Sequence, residues 1–219
     1  MKRRHFSLST VSLAAASGIG LSFAVPAFAQ GKPPQEGTDY IALEKRVPTD
    51  TPAGKLEVIE FFWYSCPHCF AFEPRFESWV KQEAKDVVVQ RVPVVFRDDF
   101  VPQQKLYYTL EAMNKVDELH GKVFQAIHVE RVPLSKDQQI IDWVAKQGVD
   151  KAKFTEIYNS FQVATKVRRA AQLQDAYKVA GVPALGIAGR YYVDGTLAGS
   201  MERALQISDF LLAGLRKGG

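Results

Sequence analysis

Cysteine is nearly absent from this chain: of 219 residues, only Cys66 and Cys69 carry a thiol. A disulfide-stapled scaffold needs several pairs and a self-contained four-cysteine zinc site needs two more sulfurs, so both are excluded. Charge of one sign is equally scarce. Of a net charge of +4, Lys2, Arg3 and Arg4 account for three, leaving 4 − 3 = +1 for the remainder. That is no electrostatic footprint for nucleic acid. Beyond Phe23 no stretch is long and apolar enough to span a bilayer. What is present is a globular composition, 47% hydrophobic and 24% charged, sufficient for one domain with an insertion or two small ones.

Residues 1–29 have the layout of a cleavable secretory leader. A basic start, Lys2-Arg3-Arg4, precedes a run of apolar and small residues through Phe23, and Ala27-Phe28-Ala29 is a small-x-small cleavage site. A retained membrane anchor fits less well, because Ser and Gly dilute the apolar run and Pro26 closes it. Arg3-Arg4 suits general or twin-arginine export and does not choose between them. A mature chain from Gln30 is expected to be soluble in an oxidising compartment, most simply a bacterial periplasm.

Polar Gly31–Gly37 leads into a short strand at Tyr40–Leu43. Leu56–Trp63 is a nearly continuous apolar and β-branched run, the pattern of a strand covered on both faces. Cys66-Pro67-His68-Cys69 follows directly, then Phe72, Phe76, Trp79 and Val80 at helical spacing, with Pro74 expected to kink the helix. Val87–Val92 is a second strand, completing a β-α-β unit. From about Pro102 to Val179 the patterning is helical. Its apolar stripes are Leu106, Leu110 and Met113; Val116, Leu119, Val123 and Ile127; and Phe154, Ile157, Tyr158 and Phe161, the last running on through Val163, Val167 and Ala171. Ser135-Lys-Asp-Gln138 matches a capping box, and Gly148 a helix stop. Two short strands return at Leu185–Ala188 and Tyr191–Val193, and an amphipathic helix with Leu205, Ile207, Phe210, Leu211 and Leu215 ends the chain.

The dithiol carries the chemistry. A Cys-x-x-Cys between a buried strand and a helix puts the first sulfur beside unsatisfied backbone N–H groups and the positive end of the helix dipole, and both favour thiolate. Pro67 suits the first helical position, and His68 can bring positive charge or a hydrogen bond to the sulfur. Cys66 is therefore expected to be the nucleophile and Cys69 the more buried resolving thiol. A structural disulfide closing so short a loop would add little stability. Zinc would need two further ligands, and His68, His120 and His128 are the histidines beyond the leader, the last two in the helical block. No metal site is expected.

Gly181-Val182-Pro183 stands just before the returning strands. A proline there suits any loop end, but in a thioredoxin-like architecture it faces the dithiol as a cis bond and leaves neighbouring backbone groups free for an extended substrate. Glu60 interrupts the apolar strand six residues before Cys66, and a buried carboxylate needs a partner or a raised pKa. Arg91 on the next strand is the candidate partner. A paired structural charge and a proton-handling role for Cys69 both remain open for Glu60. Glu73 is expected on the helix surface or near the site, tuning the local field.

Glu60-Phe-Phe-Trp-Tyr-Ser-Cys-Pro-His-Cys-Phe-Ala-Phe-Glu73, with Val182-Pro183 downstream, closely resembles the DsbA family of bacterial periplasmic thiol:disulfide oxidases over essentially the whole mature chain. The resemblance implies an α/β thioredoxin fold with an inserted all-helical domain: residues 30–98 and 180–219 as the thioredoxin-like parts and 99–179 as the insertion. It implies Cys66 as attacking and Cys69 as resolving cysteine, Val182-Pro183 as the cis-proline substrate loop, and Glu60 as the buried acid. Arg91 falls where better-known members carry lysine, and arginine keeps its proton. No cofactor beyond a Cys66–Cys69 disulfide is implied. The implied partners are reduced, unfolded exported proteins as substrates and a quinone-linked membrane oxidase of the DsbB type for reoxidation. A disulfide isomerase or reductase is the alternative enzyme, but residues 30–55 are too few for the N-terminal dimerisation module of isomerases in this lineage, so a monomer is expected. A peptide-binding, chaperone-like module with an incidental dithiol is the alternative from another class, with a metal carrier beside it.

Overall fold

The computed structural model describes residues 33–218, and the expected leader lies outside them. Two-residue β1 (Ile41–Ala42) precedes β2 (Leu56–Phe62), α1 (Pro67–Gln82) and β3 (Val87–Pro93). A 3-10 turn at Asp98–Phe100 then opens five helices: α2 (Val101–Ala112), α3 (Val116–His128), α4 (Asp137–Lys146), α5 (Lys151–Tyr158) and α6 (Phe161–Ala176). The chain returns through β4 (Ala184–Ile187) and β5 (Tyr191–Asp194) to one-turn α7 (Gly195–Ala198) and α8 (Met201–Lys217). The sheet order is β1-β5-β4-β2-β3, with β3 parallel to β2 and β4 antiparallel to it. This is a thioredoxin-like fold with the five helices between its two halves. Among the described residues no helix is long and apolar enough to cross a membrane.

The uninterrupted apolar run of β2 reflects its central place, for both of its faces are covered. Val58 joins Leu185, Ile187 and Val193 against Phe72, Phe76 and Trp79 of α1 and Leu205, Ile207, Leu211 and Leu212 of α8. Ile59 and Phe61 belong to a second core that continues into the helical segment through Leu106, Leu119, Val123, Phe124, Ile140 and Phe154. A buried, centrally paired strand is a rigid mount for whatever follows it, and Cys66 follows it by four residues.

Two local expectations change. Asp137 begins α4 after N-cap Lys136, and Gln139 Oε1 accepts from the Lys136 backbone N–H at 3.2 Å, so the cap sits one residue later than Ser135-Gln138 suggests. Lysine offers no side-chain acceptor, so the returning glutamine satisfies the orphan donor by itself. The stripe through Phe161 is broken at Ser160, whose hydroxyl caps α6, and this leaves Phe161 80% exposed. α1 runs through Pro74 as one helix of 16 residues.

Two glycines test the packing. A Cβ at Gly186 in β4 would stand 2.4 Å from the ring of buried Tyr177, whereas one at Gly121, exposed inside α3, would meet nothing within 4 Å. Gly186→Ala should cost about 1–3 kcal/mol in urea unfolding, and Gly121→Ala should gain about 0.5–1 kcal/mol. Equal effects from the two substitutions would refute this packing.

Candidate functional site

Cys66 is the N-cap of α1, with extended backbone at φ −81 and ψ 117. Its sulfur accepts from the Cys69 backbone N–H at 3.4 Å, taking up one of the donors that a helix start leaves unpaired. Pro67 occupies the first turn, where a missing N–H costs nothing, and the same turn holds no acidic side chain to repel an anion. The Cys66 thiol is accordingly lowered to about 6. A hydrogen bond from the Cys69 side chain contributes most, then backbone N–H groups of Cys69 and His68 and the charge of His68, all against a desolvation that raises it. Both cysteines are free thiols. Cys69, one turn into the helix, is wholly buried, whereas Cys66 keeps 7% exposure. Burial, followed by the hydrogen bond and charge of Cys66, pushes Cys69 well above the ordinary thiol range.

The Val182–Pro183 bond is cis, and the Cys66 thiol donates to the Val182 carbonyl at 3.4 Å. The loop before β4 thus lies against the nucleophile, while Pro67 and His68 are exposed beside it.

Beneath the dithiol lies a charge cluster. Glu60 and Arg91 are register partners across β2 and β3, and Arg91 Nε donates to Glu60 Oε2 at 3.1 Å. The same guanidinium donates to Glu73 Oε1 at 2.8 Å and Glu77 Oε1 at 2.5 Å, both from α1. Glu73 is buried rather than on the helix surface. One guanidinium therefore serves three carboxylates, and Lys81 adds only a 3.9 Å contact to the part-exposed Glu77, so full ionisation would leave the buried pair Glu60 and Glu73 sharing one cation. Glu60 relieves this by staying protonated: burial first, then the Glu73 charge, raise it to about 8 against the pull of Arg91. Glu73 is lowered instead: its own burial raises it, but the charge and hydrogen bond of Arg91 outweigh that. The three carboxylates keep Arg91 firmly charged.

The residues missed in the sequence come from the helical segment. His120 Nε2 stands 3.4 Å from Glu73 Oε1 without the geometry of a hydrogen bond. Its Nδ1 lies 2.8 Å from the Tyr64 hydroxyl, and burial lowers its pKa, so the ring is neutral. Gln103 Nε2 donates to Ser65 Oγ at 2.7 Å, and Trp63 stacks on Phe100 with ring centroids 3.8 Å apart. His120 and His128, eight apart on α3, were the one sequence signal available, a stripe of imidazoles on one helix face. Among the described residues no group of three or more His, Cys, Asp or Glu is placed to hold a metal ion.

The chain matches the DSBA-like thioredoxin domain family over residues 57–206. It is 41% identical over 205 residues to a Burkholderia cepacia protein named thiol:disulfide interchange protein DsbA, covering 94% of each chain. It is 45% identical over 191 residues to the protein of that name from Bordetella parapertussis, covering 87% of this chain and 90% of the relative. The crystal structure of Pseudomonas aeruginosa DsbA superposes with a TM-score of 0.79 at 38% identity, over 83% of this chain and 94% of that one.

Glu60 gives this site a measurable pH signature. Its folded pKa, about 8, is raised above the ordinary value of 4.5, so the native state holds an extra proton between these values. The stability tied to that proton is complete below about 4.5 and lost as pH rises through about 8. The stability of the reduced parent relative to reduced Glu60→Gln should therefore fall across this window, by up to about 1.4 kcal/mol per pH unit. Denaturant unfolding of both proteins at several pH values measures it, and parallel pH profiles would show that Glu60 is not protonated in the fold.

Proposed function

The chain belongs to the DsbA family of thiol:disulfide interchange proteins, and on that premise we propose that it donates its Cys66–Cys69 disulfide to reduced, newly exported proteins in a bacterial periplasm. The observation that carries this reading is the placement of Cys66 Sγ at the start of α1, where its thiol is lowered to about 6. A sulfur that is comfortable as an anion is a good leaving group, and its ionisation stabilises the reduced enzyme, so electrons run from substrate to enzyme.

In the oxidised enzyme a substrate thiolate attacks Cys66, the sulfur of the pair that reaches solvent. The Cys66–Cys69 bond breaks, a mixed disulfide forms, and Cys69 leaves as a thiolate. Because Cys69 is held well above the ordinary range, it takes up a proton, and Glu60–H is the acid we assign to supply it. Arg91 stays charged throughout and stabilises the carboxylate that Glu60 becomes, while Glu73 sets the field around both. A second substrate thiolate then attacks the substrate sulfur of the mixed disulfide, and Cys66 departs as a thiolate. Two electrons pass to the enzyme, and the substrate gains a disulfide. We assign Val182 and Pro183 to binding the substrate main chain, and His68 and Pro67 to the exposed rim around Cys66.

The remaining assignments rest on the family and the sequence. Residues 1–29 act as the leader, 30–98 and 180–219 as the thioredoxin-like parts, and 99–179 as the inserted helical domain. The enzyme works as a monomer and is reoxidised by a quinone-linked membrane oxidase of the DsbB type.

Two measurements test the direction. In the folded reduced protein Cys66 ionises at about 6, against 9.0 for an ordinary thiol. A depressed pKa stabilises the reduced fold fully above the ordinary value, and the contribution is lost as pH falls through about 6. At pH 7, with solvent screening discounted, on the order of 1 kcal/mol remains. The reduced protein should then melt about 2–4 °C above the oxidised one, and the gap should close in acid. Equal or reversed melting temperatures at neutral pH would count against disulfide donation. Cys69→Ser should retain a nucleophilic Cys66, which attacks a disulfide-containing peptide, expels one peptide thiolate and, with no resolving thiol, stays trapped as a mixed disulfide read by mass spectrometry. A variant recovered only as free thiol would contradict the two roles.

A further inference from the structure

Each residue of the lead-in to Cys66 is gripped by the helical segment: Trp63 by Phe100, Ser65 by Gln103, and Tyr64 at its hydroxyl and its carbonyl by α3. The Tyr64 hydroxyl meets His120 Nδ1, and the Tyr64 carbonyl lies 2.8 Å from His128 Nε2. A carbonyl oxygen only accepts, so His128 Nε2 carries the hydrogen. The His128 ring also lies flat on Phe70, with centroids 4.9 Å apart and planes within 6°. Phe70 follows Cys69 directly, and its backbone N–H donates to the Cys66 carbonyl at 3.1 Å. One imidazole therefore touches both flanks of Cys66-Pro67-His68-Cys69.

Tyr64 and Ser65 form the middle of a turn closed by the Cys66 N–H on the Trp63 carbonyl at 3.0 Å. The Tyr64–Ser65 peptide plane sits inside that turn, and flipping it would force Ser65 from its present backbone to a positive φ that a non-glycine residue resists. The bond from His128 holds that plane.

We propose that His128 is a positioning residue of the interchange reaction: by donating from Nε2 to the Tyr64 carbonyl while stacked on Phe70, it holds the Cys66 sulfur over the first turn of α1. The inference rests on the functional reading above, because it concerns how the same nucleophile is kept in place. The helical segment thereby takes part in setting the acidity of a thiol borne by the other part of the fold.

His128→Leu removes the donor and keeps bulk, whereas His128→Gln keeps an N–H able to reach the carbonyl. Ultraviolet titration of the thiolate should find the His128→Leu midpoint higher by about half a pH unit or more. Attack by a peptide thiolate that expels Cys66 from its mixed disulfide should be slower at neutral pH, because a less acidic thiol is a poorer leaving group, and His128→Gln should return both toward the parent. A His128→Leu titration equal to the parent's, or a His128→Gln shift as large as that of His128→Leu, would overturn the proposal. So would lost thermal stability with an unmoved titration. A parent protein that titrates like free cysteine would instead defeat the functional reading itself. Nitrogen NMR of histidine in the unaltered, folded protein adds a test free of folding defects: Nε2 of His128 should bear hydrogen, and a bare Nε2 would refute the assignment.

Discussion

The first turn of α1 has backbone N–H groups in need of an acceptor, and the sulfur of Cys66 is the atom placed to accept. Everything else about the site follows from that contact. It requires a strand that ends in a fixed position, which central, doubly covered β2 provides. It requires a helix whose opening residues neither compete for the donors nor repel an anion, which Pro67 and the lack of first-turn acids provide. It also divides the two thiols. The sulfur at the cap is stabilised as an anion, and the one a turn later, buried among apolar side chains, is kept as a thiol. A single helix start thus separates an acidic thiol from a reluctant one within four residues.

In the reaction we propose, the charge cluster below serves the second of these sulfurs. Arginine at position 91 fixes a positive charge that does not titrate, so any proton that moves there belongs to a carboxylate. With Glu60, Glu73 and Glu77 around one guanidinium, the number of negative charges exceeds what it can balance, and the most buried carboxyl gives way. Burial disfavours charge in Glu60 and Cys69 alike, which places an acid and the sulfur that needs its proton in one dry compartment.

Much of this was legible in the chain. The strand at 56–63 showed as an apolar run, the dithiol as a spaced pair at a strand-to-helix junction, and Arg91 as the basic residue on the next strand able to answer Glu60. These readings depend on neighbours a few residues apart or on strand order, which local patterning encodes. Glu73 reads in the sequence as lying on the helix surface or near the site, and it lies near the site; a carboxylate in a helix reads as surface until a guanidinium from another element is known to lie over it. His120 and His128 went unassigned for a related reason. Their partner Tyr64 is 56 and 64 residues away, and no periodicity encodes a contact across that distance. The stripe through Phe161 failed where Ser160 starts a new helix, since a hydroxyl cap outweighs continued apolar spacing.

The hydrogen bond from the Cys66 thiol to the Val182 carbonyl reaches beyond the resting state. That carbonyl has a donor only while the sulfur bears hydrogen. Once the hydrogen goes, whether through ionisation or through bonding to another sulfur, an oxygen lone pair beside the reacting atom turns vacant and faces any amide drawn up along it. In the substrate role proposed for Val182, this main-chain acceptor is therefore freer for a visitor when the cysteine is in a reactive form than when it is an idle thiol.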